Sequence, residues 1–247
     1  MKIGIIGVGN IGGTLARKLH AAGHEVRVAN KGGIAGVQKF AEENDVRPAD
    51  IPGVIDNVHV IILSIPTPAI QQLPGDLFAQ LAEDVIVIDT SNYYPGMRDS
   101  HIPDIDDGLT ESVWVARQIG RPVIKAFNNV LANTLQQLGS PEGTAGRLAI
   151  AVAGDVPSHK EVAMSLVNQV GFDAVDAGAL ADSWRQQPST PAYCCDLDAV
   201  AMRKALADAI PGVASAKRDR LPELFSTLGA NPTHEQVIAM NRKVNAV

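Results

Sequence analysis

The sequence predicts an α/β chain in which a doubly wound, mainly parallel sheet is followed by a small helical C-terminal region. Three observations carry this expectation. Over the first two thirds, short β-branched runs alternate with longer amphipathic segments, the pattern of βα units around a parallel sheet. The runs Val60-Ile61-Ile62-Leu63 and Val85-Ile86-Val87-Ile88 are apolar on both faces, so helices must cover both sides of the sheet. After Gly178 the strand pattern stops and only helical stretches follow.

In chain order, strands are expected at Lys2 to Gly7, Glu25 to Ala29, Val58 to Ser64, Val85 to Asp89, Pro122 to Lys125, Arg147 to Ala153 and Asp173 to Asp176. Between them, Asn10 to Ala22 carries Ile11, Leu15 and Leu19 at a spacing of four, which is one helical stripe, and Gly23 supplies the stop. Further helices are expected at Gly33 to Glu43, Gly75 to Ala82, Leu109 to Ile119, Val130 to Leu138 and Ser158 to Val170. The last third reads as helices near Asp196 to Ala209, Ala214 to Leu228 and Thr233 to Asn245. Leu221, Leu224, Phe225 and Leu228 fall at helical spacing and form an expected packing face. The organisation expected is a sheet-bearing domain over 1–178 and a helical cap over 179–247, which either covers the sheet edge or forms a homodimer contact.

Composition removes several function classes. The chain has 247 residues, a formal charge of −6, 46% apolar, 19% charged and 4% aromatic residues. Such a net-acidic, aromatic-poor chain offers no basic stripe and few stacking platforms for nucleic acid. Cys194 and Cys195 are adjacent and the only cysteines, which argues against a disulfide scaffold. The apolar start at Ile3 to Ile6 is interrupted by Gly9, Asn10, Gly12 and Gly13, so no signal peptide is expected. Apolar stretches such as Val58 to Pro66 are too short to span a bilayer. A cytoplasmic protein with neither membrane nor nucleic-acid partners is the expectation.

The motif that carries chemistry is Gly7-Val8-Gly9-Asn10-Ile11-Gly12, placed directly after an expected strand and opening an expected helix. That context makes it a dinucleotide-binding fingerprint on a Rossmann-type sheet. Gly7 permits the tight turn, Gly9 lets backbone approach a pyrophosphate, and Gly12 lets the helix pack on the strand. The unpaired N–H groups at the start of that helix then face the diphosphate. The competing reading is a glycine-rich turn without a ligand. At the end of the second strand, where NAD-binding chains place Asp or Glu, stands Asn30, 18 residues past Gly12, followed by Lys31. A carboxylate there would repel a 2′-phosphate; Asn30 removes the repulsion and Lys31 adds a cation, so NADP(H) is the expected cofactor. A merely solvated Lys31 is the alternative.

Other loops at the same edge of the sheet are further candidates. Ser64-Ile65-Pro66-Thr67-Pro68 is a stiff loop after a strand, and Asn92-Tyr93-Tyr94-Pro95 and Ala126-Phe127-Asn128-Asn129 bring amides rather than acids and bases, with turn or capping roles equally open. Lys125 could donate a proton, but its place at a strand end favours a structural role. The six histidines are scattered. His20 and His24 are separated by the helix-ending Gly23, so no metal site is expected.

The fingerprint, Ser91-Asn92-Tyr93-Tyr94-Pro95, Lys125-Ala126-Phe127-Asn128-Asn129, Ala153-Gly154-Asp155 and Trp184-Arg185-Gln186-Gln187-Pro188 together resemble the coenzyme F420-dependent NADP oxidoreductase family, in its bacterial branch. The similarity runs from Met1 to about Ala209. It implies hydride transfer between NADPH and a second redox cofactor such as F420 or a flavin, with no dedicated catalytic side chain, because the cofactors carry the reactivity. By the family pattern Gly9, Asn10, Ile11, Asn30, Lys31, Ser64, Ile65 and Pro66 contact NADP, and Asn92 and Ala153 lie near the nicotinamide. The tail from about Ile210 is extra to that pattern, and Tyr193-Cys194-Cys195 has no assigned role. Trp184 and Arg185 are either part of the second-substrate pocket or a structural anchor. Two other functions compete. One is a β-hydroxyacid or imine-type NADP-dependent dehydrogenase completed by dimerisation, since only 69 residues follow Gly178. The other is a non-catalytic NADPH-binding sensor.

Overall fold

The computed structural model describes residues 1–246. Six parallel strands form the main sheet: β1 (Lys2–Ile6), β2 (Glu25–Ala29), β3 (Arg47–Pro48), β4 (Val60–Leu63), β5 (Ile86–Asp89) and β6 (Ile124–Lys125), in the spatial order β3-β2-β1-β4-β5-β6. The chain reverses its direction of winding between β1 and β4, where Ile6 sits opposite Leu63. In an open α/β sheet the crevice beyond the strand ends at such a reversal is where ligands bind. A second parallel pair, β7 (Ala149–Val152) and β8 (Asp173–Asp176), is joined to the main sheet through an antiparallel bridge in which the Lys125 and Ala153 backbones exchange hydrogen bonds of 2.8 and 3.0 Å.

Strand alternation divides the core into two layers. Ile3 and Ile5 of β1, Val60 and Ile62 of β4, and Ile86 and Ile88 of β5 enter one cluster with Leu15, Leu19, Val37, Leu135 and Leu166. Ile6, Ile61, Leu63 and Val87 enter the opposite cluster with Val54, Ile55, Phe78 and Trp114. The first layer is supplied by α1 (Asn10–Ala21), α2 (Gly33–Asn44), α6 (Ala132–Gln137) and α7 (Pro157–Gln169). The second is supplied by α3 (Ile51–Ile55) and α5 (Glu111–Ile119). Each buried aliphatic side chain contributes about 1.5–3 kcal/mol, so the two-sided apolar strands are what hold the sheet between its helices. Gly4 has a packing reason: a Cβ there would come within 2.1 Å of the Val54 carbonyl oxygen, so α3 lies directly on β1.

Some expectations are corrected. Gly75 to Ala82 is not a helix. It is a chain of turns held by i to i+3 bonds such as Leu77 N–H to the Pro74 carbonyl, and it is anchored by buried Phe78. A 3₁₀ helix at Thr67–Gln72 precedes it, shaped by Pro66 and Pro68. The single helix expected over Ala214 to Leu228 is two, α9 (Val213–Arg218) and α10 (Leu221–Ser226), because Pro222 fits only the first turn of a helix and so starts a new one. The strand ends are shorter than expected by one or two residues, except at β2 and β8. Besides the 3₁₀ helices at Thr67–Gln72 and Leu180–Gln186, three elements were not expected: the two-residue β3, α3 capped by the Asp50 carboxylate on the Gly53 N–H at 2.8 Å, and the short α4 (Pro103–Asp106).

After a 3₁₀ helix at Leu180–Gln186, α8 (Ala199–Asp208) buries Met202, Ala205 and Leu206 against β7 and β8. The last helix, α11 (His234–Asn245), acts as a strap across the segment Tyr193 to Asp196. Asn245 and Asn241 donate to the Tyr193 and Cys194 carbonyls, each at 2.8 Å, and Arg242 donates to those of Cys195 and Asp196, each at 2.9 Å. Cys194 and Asp196 hold positive φ values of 52° and 49°, so this segment depends on outside donors for its shape. Both thiols are buried, and burial pushes the Cys194 thiol well up and that of Cys195 up to about 11, which leaves neither as a reactive thiolate.

Candidate functional site

The site is built at the β1–α1 turn. Gly7 has φ of +103°, and a Cβ there would stand 2.2 Å from the Ser64 carbonyl oxygen. A Cβ on Gly12 would meet the Gly7 carbonyl oxygen at 2.0 Å and the Ser64 Cβ at 2.9 Å. These two glycines are required by the protein itself, and they bring the Ser64-Ile65-Pro66 loop against the fingerprint turn. Gly9 is different. It is exposed, its φ of −69° is ordinary, and a Cβ there would meet no protein atom within 4 Å. The backbone has no internal reason for glycine at this point, and a ligand that must approach the helix start supplies one.

The start of α1 is also electrically unfilled. No side chain caps it and no acidic residue lies in its first turn, so the N–H groups beside exposed Asn10 and half-buried Ile11 keep their capacity for an anion. A groove of about 780 Å³ is lined by Asn30, Lys31, Ile65, Pro66 and Arg98 among others. Within it Lys31 is exposed, while both ends of the Asn30 amide are occupied: its Oδ1 accepts from the Gly32 N–H at 2.8 Å and its Nδ2 donates to the Gly36 carbonyl at 2.9 Å. Asn30 therefore shapes the loop that presents Lys31. No carboxylate occupies the end of β2, and this donor set fits a phosphorylated dinucleotide. Arg98, a second cation on the groove wall, was not singled out in the sequence; it lies in a loop without periodicity, held by Asp99 at 2.8 Å and stacked 5.2 Å from the Tyr94 ring centre.

The structure thus gathers Gly7, Gly9, Asn10, Ile11, Gly12 and Ser64 at the turn, and Asn30, Lys31, Ile65 and Pro66 in the groove beside it. Asn92 belongs to a different cluster. Its Nδ2 donates to the Asn128 carbonyl at 3.0 Å and its Oδ1 accepts from Asn128 Nδ2 at 3.1 Å; Gln186 Nε2 closes the network on Asn128 Oδ1 at 2.9 Å. Gln186 joins the last strand pair to this loop and carried no signal beyond its motif. Ala153 is fully buried in the bridge to Lys125 and presents no surface.

Beneath Asn92 lies a buried ionic cluster. Lys125 Nζ donates to Asp89 Oδ2 at 3.1 Å and to the Ser91 carbonyl at 2.6 Å, and Ser112 Oγ donates to Asp89 Oδ2 at 2.6 Å. Lys125 and Asp89 are both wholly inaccessible, so the lysine holds the end of β5 rather than meeting a substrate. Glu111, also unexpected, begins α5 and accepts from the Tyr93 N–H at 3.3 Å. The Tyr93 hydroxyl donates to Asp106 at 2.8 Å, and burial raises its pKa to about 12. Among the histidines, His24 is buried between the N-terminal amine and Gln169, and His59 is an exposed residue whose Nδ1 accepts from the Lys2 N–H at 2.9 Å. Among the described residues no group of three or more His, Cys, Asp or Glu could hold a metal ion, and no helix is long and apolar enough to cross a membrane.

Comparison with known proteins agrees with this geometry. The family described as NADP oxidoreductase, coenzyme F420-dependent, matches residues 2–93. The protein YjhV of Escherichia coli (strain K12) is 51% identical over 105 residues, which cover 42% of this chain and 77% of that protein. Among solved structures, the hypothetical protein SMa0349 from Sinorhizobium meliloti superposes with a TM-score of 0.62 at 26% identity, covering 76% of this chain and 89% of that one. A candidate F420-dependent NADP-reductase from Arthrobacter sp. FB24 gives 0.59 at 22% identity, covering 74% and 87%. A pyrroline-5-carboxylate reductase from Coxiella burnetii gives 0.51 at 17%, covering 98% and 75%. The last two are similar in fold.

Proposed function

Because the chain belongs to the family of coenzyme F420-dependent NADP oxidoreductases and is an NADP-dependent oxidoreductase, we propose that it transfers a hydride between NADPH and a second redox cofactor of the deazaflavin or flavin type. The observation that carries the proposal is Gly9, an exposed glycine with no protein neighbour, at an uncapped helix start beside a β2 end free of carboxylates. In this reading the N–H groups at Asn10 and Ile11 take the pyrophosphate, and Gly7 and Gly12 keep the turn and the Ser64 loop in register. Lys31 takes the 2′-phosphate, with Asn30 setting its loop. Ile65 and Pro66 line the adjoining wall, and Asn92, fixed by Asn128, holds the nicotinamide end, while fully buried Ala153 takes no part in contact with it.

When bound, the dihydronicotinamide supplies the hydride. The chain's part is to orient it and exclude water, which is most of what such a reaction requires of a protein. The protein is read as acting in the cytoplasm as a homodimer; exposed Val200, Ile210 and Val213 on the C-terminal helical region support the dimer, and sedimentation of the full chain tests it.

The test of function is NADPH oxidation followed by absorbance with F420, FMN, a ferric chelate and a panel of carbonyls and imines. Oxidation with F420 or FMN supports the proposal. Oxidation with carbonyls or imines alone replaces it with the dehydrogenase reading, and tight NADPH binding without turnover replaces it with a sensor.

A further inference from the structure

Arg98 lines the dinucleotide groove and has no part in the NADPH contacts proposed so far. Among the described residues lining that groove, Lys31, Arg98 and Asp99 are the charged ones. Lys31 follows β2, whereas Arg98 is tied by a hydrogen bond to Asn92, which follows β5. In the order β2-β1-β4-β5 those strands are three steps apart, or about 14 Å at about 4.8 Å per step, and the β1–α1 turn lies between them. A dinucleotide laid along this edge with its 2′-phosphate at Lys31 and its diphosphate at the turn therefore brings its nicotinamide half to Arg98.

The guanidinium is held firmly there and yet not fully used. Its Nε donates to Asp99 Oδ1 at 2.9 Å, and its Nη2 donates to Asp99 Oδ2 at 2.8 Å and to the Asn92 carbonyl. Among the described residues no acceptor takes Nη1. Asp99 is fixed in turn by the Tyr94 N–H at 2.8 Å, and the Tyr94 hydroxyl meets that of Tyr193 at 2.5 Å. The Tyr193 carbonyl is the one that Asn245 of α11 holds, so the C-terminal strap backs the loop that carries Arg98. The two members of the ion pair face different ways, since the Asp99 side chain is 1% exposed and that of Arg98 46%. A ligand in the groove therefore meets the cation first, and a guanidinium keeps its charge at every working pH.

We propose that Arg98 makes the site discriminate between the two redox states of its cofactor, holding NADPH in preference to NADP⁺. The inference rests on the NADP(H) reading above. Dihydronicotinamide is neutral, and the ring carries a positive charge once the hydride has left. Nη1 is a donor available to the carboxamide oxygen of either form, but its charge opposes the oxidised ring alone. Two like charges several ångströms apart in a half-exposed groove change an affinity by about tenfold after Asp99 offsets part of the field. The bias favours uptake of NADPH and release of NADP⁺, which suits a chain working in the direction of NADPH oxidation.

Two variants of the full chain test it. Arg98→Met removes the charge and keeps most of the stem, and Arg98→Lys restores the charge. Calorimetric titration reads affinity for NADPH, for NADP⁺ and for adenosine 2′,5′-bisphosphate, which lacks the nicotinamide half. The wild type should bind NADPH about tenfold more tightly than NADP⁺, and added salt should narrow that ratio. In Arg98→Met the ratio should fall to about threefold or less, and in Arg98→Lys it should stay near the wild-type value. The bisphosphate should bind all three proteins within about twofold, which shows that the variants are folded and that the adenosine half lies elsewhere. An unchanged ratio in Arg98→Met, or a wild type that binds the two forms equally, overturns the proposal. A ratio lost in Arg98→Lys as in Arg98→Met overturns charge as its cause. Equal losses of NADPH, NADP⁺ and bisphosphate binding in Arg98→Met overturn the placement of Arg98 at the nicotinamide end. Failure of the NADP(H) reading shows itself separately, as a wild type that binds none of the three ligands, and takes this inference with it.

Discussion

Replacing Gly9 and Gly12 by alanine, one at a time, should separate binding from folding within three residues of chain. At Gly12 the new methyl carbon would lie 2.0 Å from the Gly7 carbonyl oxygen and 2.9 Å from the Ser64 Cβ, and neither backbone nor a short side chain can move away freely. Forced overpacking of this kind costs about 1–3 kcal/mol or more. For a chain of this length each kcal/mol shifts Tm by about 2–4 °C, so Gly12→Ala should melt about 2–12 °C lower. At Gly9 the methyl meets no protein atom within 4 Å and φ is already −69°, so only the weaker capping of alanine counts, below about 1 kcal/mol. The same methyl stands where the pyrophosphate must approach α1, and Gly9→Ala should weaken NADPH binding by about tenfold, or 1.4 kcal/mol, or more. Differential scanning calorimetry and fluorescence titration with NADPH read the two effects. Wild-type NADPH affinity in Gly9→Ala would refute the assignment of the helix start as the phosphate site. Wild-type stability in Gly12→Ala would refute the close packing of the turn.

Four further outcomes follow from particular contacts. Lys31→Glu places a negative charge on the loop, and a like-charge contact near 4 Å costs up to about 4 kcal/mol before screening; NADPH affinity should fall by at least about tenfold while NADH affinity changes little, and added salt should narrow the gap. Equal losses for the two cofactors would remove Lys31 from the 2′-phosphate site. Because the Glu111 pKa is raised in the folded protein from 4.5 to about 7, the native state holds its proton longer than the unfolded chain, so stability is full below about pH 4.5 and falls as pH rises toward 7. The loss is about 3 kcal/mol, and urea midpoints measured across that window should flatten in Glu111→Gln. Lys125→Met strands the fully buried Asp89 carboxylate and should cost about 3–5 kcal/mol in urea denaturation, most of it recovered by adding Asp89→Leu. Asn245→Ala withdraws the 2.8 Å bond to the Tyr193 carbonyl and should cost about 1–3 kcal/mol, whereas the same change at exposed Asn10 should leave the urea midpoint unmoved.

Local chemistry made much of this protein legible in its sequence. The two-sided apolar runs fixed β4 and β5 and with them the covering helices, because such residues have no stable place except between two layers. The spacing of Ile11, Leu15 and Leu19 fixed α1, and the context of Gly7 to Gly12 placed the turn, since backbone geometry at those positions depends on neighbours in the chain. Pro222 carries the signal for the break between α9 and α10, because proline is tolerated only in the first turn of a helix. The turns at 75–82 were less accessible, because buried Phe78 and the Arg121 guanidinium, which donates to the Leu81 and Ala82 carbonyls at 2.8 and 2.6 Å, decide the path there, and periodicity registers neither anchor.

What only tertiary structure decided is where unlike segments meet. The motif context gave Gly7, Gly9 and Gly12 separate roles; the position of Ser64 supplied the contacts that exclude a Cβ at Gly7 and Gly12 while Gly9 faces open space. The sequence left Lys125 open as an acid while favouring a structural role, and only the approach of Asp89 supplied the partner that makes it a buried strut. Glu111 sits among ordinary residues at a helix start, and its burial under the Asn92–Tyr93 peptide arises from elements far apart in the chain. Periodicity and turn chemistry act over a few residues and are written in the sequence directly. Burial, charge pairing and cavity shape depend on the whole packed arrangement, and they decide which of the legible residues are free to meet a ligand.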